Sequence, residues 1–196
     1  LASLCQRRDR SCLPIVLEAA KSKEPAVREM AVKALGRLGD ASVVPVLVKA
    51  LFDEPTAAAA RGSLEMLGGK GTDEEIIAAM QGETDGAHRG ELVKVLDVRR
   101  ASSPVPALMK EAMSNDARVR ARAMIALGRL ADAKDIPELL KAMLHAAKGA
   151  ERDGAQKAIV VVCSRIPDAD NRADIVLSAY AAASDADKAE MLPLLG

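Results

Sequence analysis

The sequence predicts an all-α protein, a right-handed α-α superhelix of about six helix pairs, and two observations carry that prediction. Residues 26–45 and 118–137 are nearly identical in pattern, AVREMAVKALGRLGDASVVP against RVRARAMIALGRLADAKDIP. The Leu-Gly dipeptide inside them recurs in degenerate form along the chain, at steps near 31 residues. A fixed period of this size indicates stacked helix pairs, each in contact with its neighbours, rather than one closed core.

Each repeat contains two helical patterns joined by a short turn. In the clearest one the apolar residues recur at helical spacing: Val27, Ala31, Leu35 and Leu38. Proline stands near the start of the other helix in four repeats: Pro14, Pro45, Pro106 and Pro137. Proline is tolerated in the first turn of a helix, because its missing N–H would have no intrahelical partner there. Prolines in register support the alignment of the repeats.

The same alignment predicts a shared core position and a shared ion pair. The core position is occupied by Leu35, Leu67, Leu96, Leu127, Cys163 and Leu195. An acid precedes an arginine by four residues in three repeats: Glu24 and Arg28, Asp85 and Arg89, Asp116 and Arg120. Such spacing allows pairing on one helix face, so we expect structural ion pairs there. In the fifth repeat the arginine position is occupied by Gln156.

These features resemble the HEAT repeat, in the short, alanine-rich bacterial form also seen in phycobilin lyase subunits. The resemblance rests on the proline-bearing helices and on the motif VR-x-x-A-x-x-A-L-G-x-L at residues 27–38 and 119–130. It implies that the proline-bearing helices form a convex outer row. The other helices would line a concave inner row, which in this family usually binds a partner protein.

The resemblance covers essentially the whole chain and predicts a single HEAT-like domain. The predicted repeats span about 10–40, 41–71, 72–101, 102–132, 133–168 and 169–196. Both ends of the sequence fall within a helix pattern and neither has the polar outer face of a capping repeat. We therefore expect that the chain was excised from a longer protein, in a compartment that the sequence leaves open.

Composition argues against several classes of partner. The 28 basic and 28 acidic residues cancel, which gives no general attraction to nucleic acid or to an acidic membrane. The longest apolar run is too short to insert into a membrane. Aromatic side chains are confined to Phe52 and Tyr180, so bases have nothing to stack on. We predict a monomer that binds neither nucleic acid nor membrane.

No set of residues with catalytic or metal-binding spacing stands out in the sequence. One HEAT family, deoxyhypusine hydroxylase, holds a di-iron centre with His-Glu dipeptides, but here His88 precedes Arg89 and His145 precedes Ala146. Cys5 and Cys12 flank one turn, and both a disulfide and two free thiols stay possible. The sequence therefore predicts no metal, no cofactor and no enzymatic activity.

Charged residues on the predicted inner helices form the candidate binding surface. Its members are Glu29, Lys33, Arg37, Arg61, Glu65, Lys94, Arg122, Arg129, Lys157 and Arg165. Basic residues outnumber acidic ones, and we expect Lys33, Arg37, Lys94, Arg122, Arg129 and Arg165 to form a continuous basic strip. Such a strip would attract an acidic protein or peptide although the chain as a whole is neutral.

The leading functional hypothesis is a non-enzymatic protein-binding or scaffolding solenoid that holds its partner on the concave face. One alternative is a bilin-lyase-like chaperone, which a change in visible absorbance on mixing with bilin would support. Another is a structural spacer in a large multidomain bacterial protein, which a surface without apolar patches would favour.

Overall fold

The computed structural model describes residues 10–100, 104–167 and 169–194. Within these ranges the chain forms twelve α-helices, a few short 3-10 turns and no β-strand, which confirms the predicted all-α class and the six helix pairs. The helices are α1 Leu13–Ala19, α2 Pro25–Leu38, α3 Val44–Leu51, α4 Ala57–Met66, α5 Thr72–Gly82, α6 Gly86–Arg99, α7 Val105–Glu111, α8 Ala117–Leu130, α9 Ile136–His145, α10 Ala150–Ser164, α11 Ala169–Ala182 and α12 Asp185–Met191.

The helix starts follow the local sequence. Each of the four aligned prolines lies in the first turn of its helix, as predicted from the missing N–H. Asp85 and Asp116 serve as N-caps of α6 and α8. The Asp85 Oδ1 atom accepts from the amides of Ala87 and His88 at 2.7 and 3.0 Å, and Asp116 Oδ1 accepts from the amide of Arg118 at 2.9 Å. The two backbone hydrogen bonds lower the pKa of Asp85, whereas the pKa of Asp116 is lowered first by the hydrogen bond from the Arg118 side chain and then by that from the Arg118 amide.

The chain divides into two compact units, Leu1–Thr84 and Asp85–Gly196, here called unit 1 and unit 2. In unit 1, α2 packs on α4 and α3 packs on α5. In unit 2, α6, α8 and α10 form one row while α7, α9 and α11 form the other. Each unit is therefore a two-layer stack in which even-numbered helices form one layer and odd-numbered helices form the other, the arrangement expected of a helical-repeat array.

The predicted core position is confirmed for four leucines and wrong for the cysteine. Leu35, Leu67, Leu96 and Leu127 are all fully buried. Cys163 is only half-buried. Ile159, which lies one turn earlier in α10, is fully buried and takes the core position of this repeat. The repeat alignment predicts an insertion around residues 148–154, but helix α10 runs continuously from Ala150, so most of these residues belong to the helix. Leu195 lies outside the described residues, as does Cys5, whereas Cys12 is a buried free thiol.

Even-numbered helices within a unit approach each other closely at small residues. A Cβ atom built on Gly36 of α2 would lie 2.6 Å from Ser63 Cβ of α4. The Ser63 hydroxyl donates to the Val32 carbonyl at 3.0 Å, so the serine remains satisfied although it is buried. In unit 2, Gly128 takes the same role, because its added Cβ would lie 3.1 Å from Ala158.

Candidate functional site

Four arginines in the first turns of even-numbered helices join one helix pair to the next. We call them the bridging arginines: Arg28, Arg89, Arg120 and Arg152. Arg120 shows the arrangement most fully. Its Nη1 donates to the carbonyls of Ser114 and Asn115 in the turn before its own helix, at 2.8 and 3.2 Å. Its Nε and Nη2 bind both carboxylate oxygens of Glu151 on α10, at 2.6 and 3.0 Å. Such bidentate pairing fixes geometry as well as charge.

The other bridging arginines repeat parts of this scheme. Arg28 binds the carbonyls of Ser22 and Lys23 and pairs with Asp53 at 3.4 Å. Arg152 binds the carbonyls of Leu144 and Ala146 and pairs with Glu190 at 2.8 Å. Arg89 donates to the Ser114 hydroxyl at 2.7 Å and lies 3.6 Å from a Glu111 carboxylate oxygen. These arginines serve architecture, not ligand binding.

This arrangement corrects two sequence predictions. The acids four residues before Arg89 and Arg120 cap the helices, and the arginines reach carbonyls, a hydroxyl or acids of other segments instead. The acid caps the helix and does not pair with the arginine, because the backbone amides of the first helical turn lack intrahelical partners and lie nearer to the acid. In α10 the bridging position is occupied by Arg152 and not by Gln156. The repeat alignment is one helical turn out of register in α10, which also explains why Cys163 is not at the core position.

We predict that Glu151→Gln lowers the free energy of unfolding by about 1–3 kcal/mol at neutral pH, because the charged hydrogen bonds to Arg120 are weakened. Those hydrogen bonds hold the pKa of Glu151 below its ordinary value of 4.5. A lowered folded-state pKa stabilises the protein above the unfolded-state value and loses that effect as the pH falls toward the folded one.

The measurement is urea unfolding of both proteins between pH 7 and pH 3. The deficit of the variant should shrink below about pH 4.5 as the wild-type carboxylate is protonated. Glu138→Gln is the control, because its pair with Lys141 is exposed on both sides and should contribute at most about 1 kcal/mol. A deficit that does not change with pH would contradict the assignment to this charge pair.

In unit 1 the predicted surface residues share the exposed side of α2 and α4. Lys33 and Arg37 are exposed on α2, and Lys33 pairs with Glu29 at 2.5 Å. Arg61 and Glu65 of α4 are half-buried. The lysine charge is thus partly balanced by an acid of its own helix.

In unit 2 the predicted basic residues are accompanied by acids that lie deeper. Glu91 binds Lys94 and Arg122 at 2.8 and 2.9 Å. Arg129 binds Asp97 at 2.5 Å, and the side chains are 60% and 11% exposed respectively. Burial raises the pKa of Asp97 although Arg129 opposes the shift. Lys157 is exposed on α10. The cations therefore protrude while their partner carboxylates are set back.

Arg165 has a structural role that the sequence analysis did not anticipate. It follows the last residue of α10, and its Nη1 donates to the carbonyls of Gly128 and Arg129, both at 2.9 Å. Its Nη2 donates to the Ala131 carbonyl. These groups lie at the C-terminal end of α8, where backbone carbonyls lack intrahelical partners and a cation is favoured.

Sequence reasoning missed a set of exposed aliphatic side chains on the even-numbered helices of unit 2. Val98 of α6, Ile125 of α8 and Val161 of α10 are 54%, 53% and 45% exposed. In the repeat alignment these three residues occupy positions where the predicted basic strip would need a lysine or an arginine. The signal that could have found them is their register, because each falls on the solvent side of the helix, where a charged residue is usual.

The sequence profile of HEAT repeats matches residues 1–68 and 74–160, which is most of the chain. The chain belongs to the HEAT-repeat family. No curated protein sequence is detectably similar to it. Among solved structures, human deoxyhypusine hydroxylase in complex with glycerol is similar over 98% of this HEAT chain and 75% of its own length, with 17% sequence identity and a TM-score of 0.45.

The prediction that this HEAT chain is not an enzyme is wrong. It rested on repeats that cover the whole sequence and on the absence of residues with catalytic spacing, whereas a hydroxylase is similar to the chain over 98% of its length. The likeness is too distant to assign any activity to this chain.

Two further features concern the part of the HEAT chain that the structure describes. No helix there is both long and apolar enough to cross a membrane. Within the same residues, no three His, Cys, Asp or Glu side chains converge as metal ligands would.

Proposed function

We propose that this HEAT chain binds a protein segment on the exposed face of the even-numbered helices of unit 2. That face is defined here by its aliphatic residues Val98, Ile125 and Val161 and its basic residues Lys94, Arg129 and Lys157. HEAT repeats commonly mediate protein interactions, and the proposal assigns that role to particular side chains.

Three exposed aliphatic side chains of unit 2 support this proposal most directly. Single exposed apolar residues are ordinary on a protein surface. Here Val98, Ile125 and Val161 lie on three neighbouring helices of one layer, each about half exposed. Apolar side chains gathered on one face and bordered by charges are typical of protein-binding surfaces. Such side chains supply the buried anchors that dominate binding free energy.

The charges of the same face favour an acidic partner. Arg129 and Lys94 protrude, whereas Asp97 and Glu91, which pair with them, are largely buried. A ligand approaching α6 and α8 therefore meets cations before it meets their counter-ions. An amphipathic helix with aliphatic residues on one side and carboxylates beside them complements this surface. Its association rate should fall as salt rises, since the screening length is about 8 Å at physiological ionic strength.

We expect Ile125→Asp to weaken binding of such a segment by about 30-fold or more, because it places a carboxylate where an apolar anchor is buried in the complex. The test is a selection of acidic amphipathic peptides from a display library on the wild-type protein, followed by titration of the chosen peptides. Ile15→Asp is the matched control, because Ile15 is at least as exposed as Ile125 but lies on the odd-numbered helix α1.

Peptides that lose affinity for Ile125→Asp and keep it for Ile15→Asp would support the proposal. Selected peptides that bind both variants equally, or that bind more tightly when their acids are replaced by lysines, would contradict it.

A further inference from the structure

Unit 1 contains a cavity of about 750 Å³ on the side of its odd-numbered helices. It lies among α1, α2, α3 and the turn that follows α3. The volume falls within the range of small-molecule sites in proteins, about 300–1,000 Å³. Most of the surface of its walls is apolar, including side-chain atoms of Val32, Val46, Ala50 and Phe52.

The cavity exists because α1 and α3 do not pack closely together, whereas α3 and α5 do. Ala20 at the end of α1 and Ala50 in α3 both line the gap, and their side chains are too small to fill it. Val32 of α2 lies at its base and is almost fully buried. Phe52, the only phenylalanine of the chain, is also among the lining residues.

Cationic groups outnumber anionic ones in the lining. Lys21, Arg28 and Lys49 line the cavity with a single carboxylate, Asp53. Arg28 is a bridging arginine, and its Nη1 is committed to two backbone carbonyls. Lys21 pairs with Glu18 outside the lining at 3.0 Å. The Thr56 hydroxyl donates to the Ala50 carbonyl at 2.8 Å. Lys49 is exposed, and in the described ranges it forms no ion pair.

Comparison with the best-matching repeat shows what distinguishes Lys49. Lys49 and Lys141 each follow an aligned proline, Pro45 or Pro137, by four residues. Lys141 pairs at 2.7 Å with Glu138, the residue immediately after Pro137. At the position of Glu138 unit 1 has Val46, which lines the cavity. One difference therefore removes the partner of the lysine and places an aliphatic side chain beside it.

We propose that this cavity binds a small anionic amphiphile, with its apolar part against Val32, Val46 and Phe52 and its carboxylate at the Lys49 ammonium group. Transfer of the apolar part from water drives binding. The unpaired ammonium selects the anionic head group, because a charge-assisted hydrogen bond is stronger than a neutral one. The site goes beyond the protein-binding function proposed above and does not depend on it.

Calorimetric titration with dodecanoate, dodecanol and dodecylamine below their aggregation concentrations tests the proposal. Dodecanoate should bind with one-to-one stoichiometry and at least about tenfold more tightly than dodecylamine. Lys49→Glu should reverse that preference, which a merely structural role of Lys49 would not do. Lys141→Glu is the matched control and should leave both affinities unchanged.

A second variant tests the location. Ala50→Trp fills the gap between α1 and α3 and should abolish dodecanoate binding, with the helical circular dichroism of the wild type retained as the check on folding. The proposal is overturned if dodecanoate does not bind, if Lys49→Glu leaves the preference unchanged, or if a folded Ala50→Trp binds normally. It is also overturned if the wild type binds only vesicles of anionic phospholipid and no monomeric carboxylate.

Discussion

Replacing Leu127 by alanine is expected to lower the free energy of unfolding by roughly 2–5 kcal/mol. Leu127 is completely buried in α8 and lies in the layer shared with α6 and α10. The cost combines the lost transfer free energy of the side chain with the cavity that rigid neighbouring helices cannot close. Leu35→Ala in unit 1 should have a cost in the same range, because Leu35 is equally buried.

The control is Ile125→Ala, two residues before Leu127 on the same helix but half exposed. Its effect should stay within about 0.5 kcal/mol, since surface substitutions that remove no specific contact change stability little. Urea unfolding followed by helical circular dichroism measures both differences. Equal losses for Leu127→Ala and Ile125→Ala would contradict the assignment of Leu127 to the core.

Gly36→Ala and Gly62→Ala are expected to change stability in opposite directions. The added methyl group at Gly36 would lie 2.6–2.7 Å from Ser63 side-chain and backbone atoms, so α2 and α4 must move apart. Overpacking of this kind costs about 1–3 kcal/mol. Gly62 lies within α4 with nothing within 4 Å of the added atom. Alanine there should stabilise the helix by roughly 0.5–1 kcal/mol, because it reduces the backbone entropy lost on folding.

Thermal unfolding of the two variants beside the wild type provides the measurement. A lower midpoint for Gly36→Ala and a higher one for Gly62→Ala are expected. If Gly36→Ala were as stable as the wild type, the close approach of α2 and α4 would not be a fixed property of unit 1. Gly128→Ala offers a milder second case, at 3.1 Å from Ala158.

Short-range signals in the sequence were sufficient for the class of the fold and for most of the core. The aligned prolines lie in first turns because that preference depends on the backbone of one residue. The leucines of the repeat are buried because helical periodicity fixes which side faces the neighbouring helix. Both signals can be recognised in a single sequence because each depends only on residues close together in the chain.

Side-chain partners could not be predicted in the same way. Whether Arg129 is a free cation depends on Asp97, 32 residues earlier, and on how far the two helices are apart. The role of Arg165 depends on its hydrogen bond to the Gly128 carbonyl near the end of α8, and the sequence does not show that these two residues are close. The register of α10 depends on where the connection ends and the helix begins, and helix boundaries are the least certain part of sequence patterns. The continuous basic strip across the chain stays a prediction.

The bridging arginines have a consequence for how the protein opens. In unit 2, Arg89, Arg120 and Arg152 link consecutive helix pairs, each through an acid or hydroxyl of the following one. When one pair detaches, the arginine of the preceding pair loses the charged or hydroxyl partner that the detached pair supplied, so each detachment costs those hydrogen bonds. Neighbouring pairs are thereby coupled, so partial opening is penalised and the unit tends to unfold as one cooperative segment. Slow amide hydrogen exchange should accordingly extend over several helices of unit 2 at a similar rate, rather than fall off helix by helix.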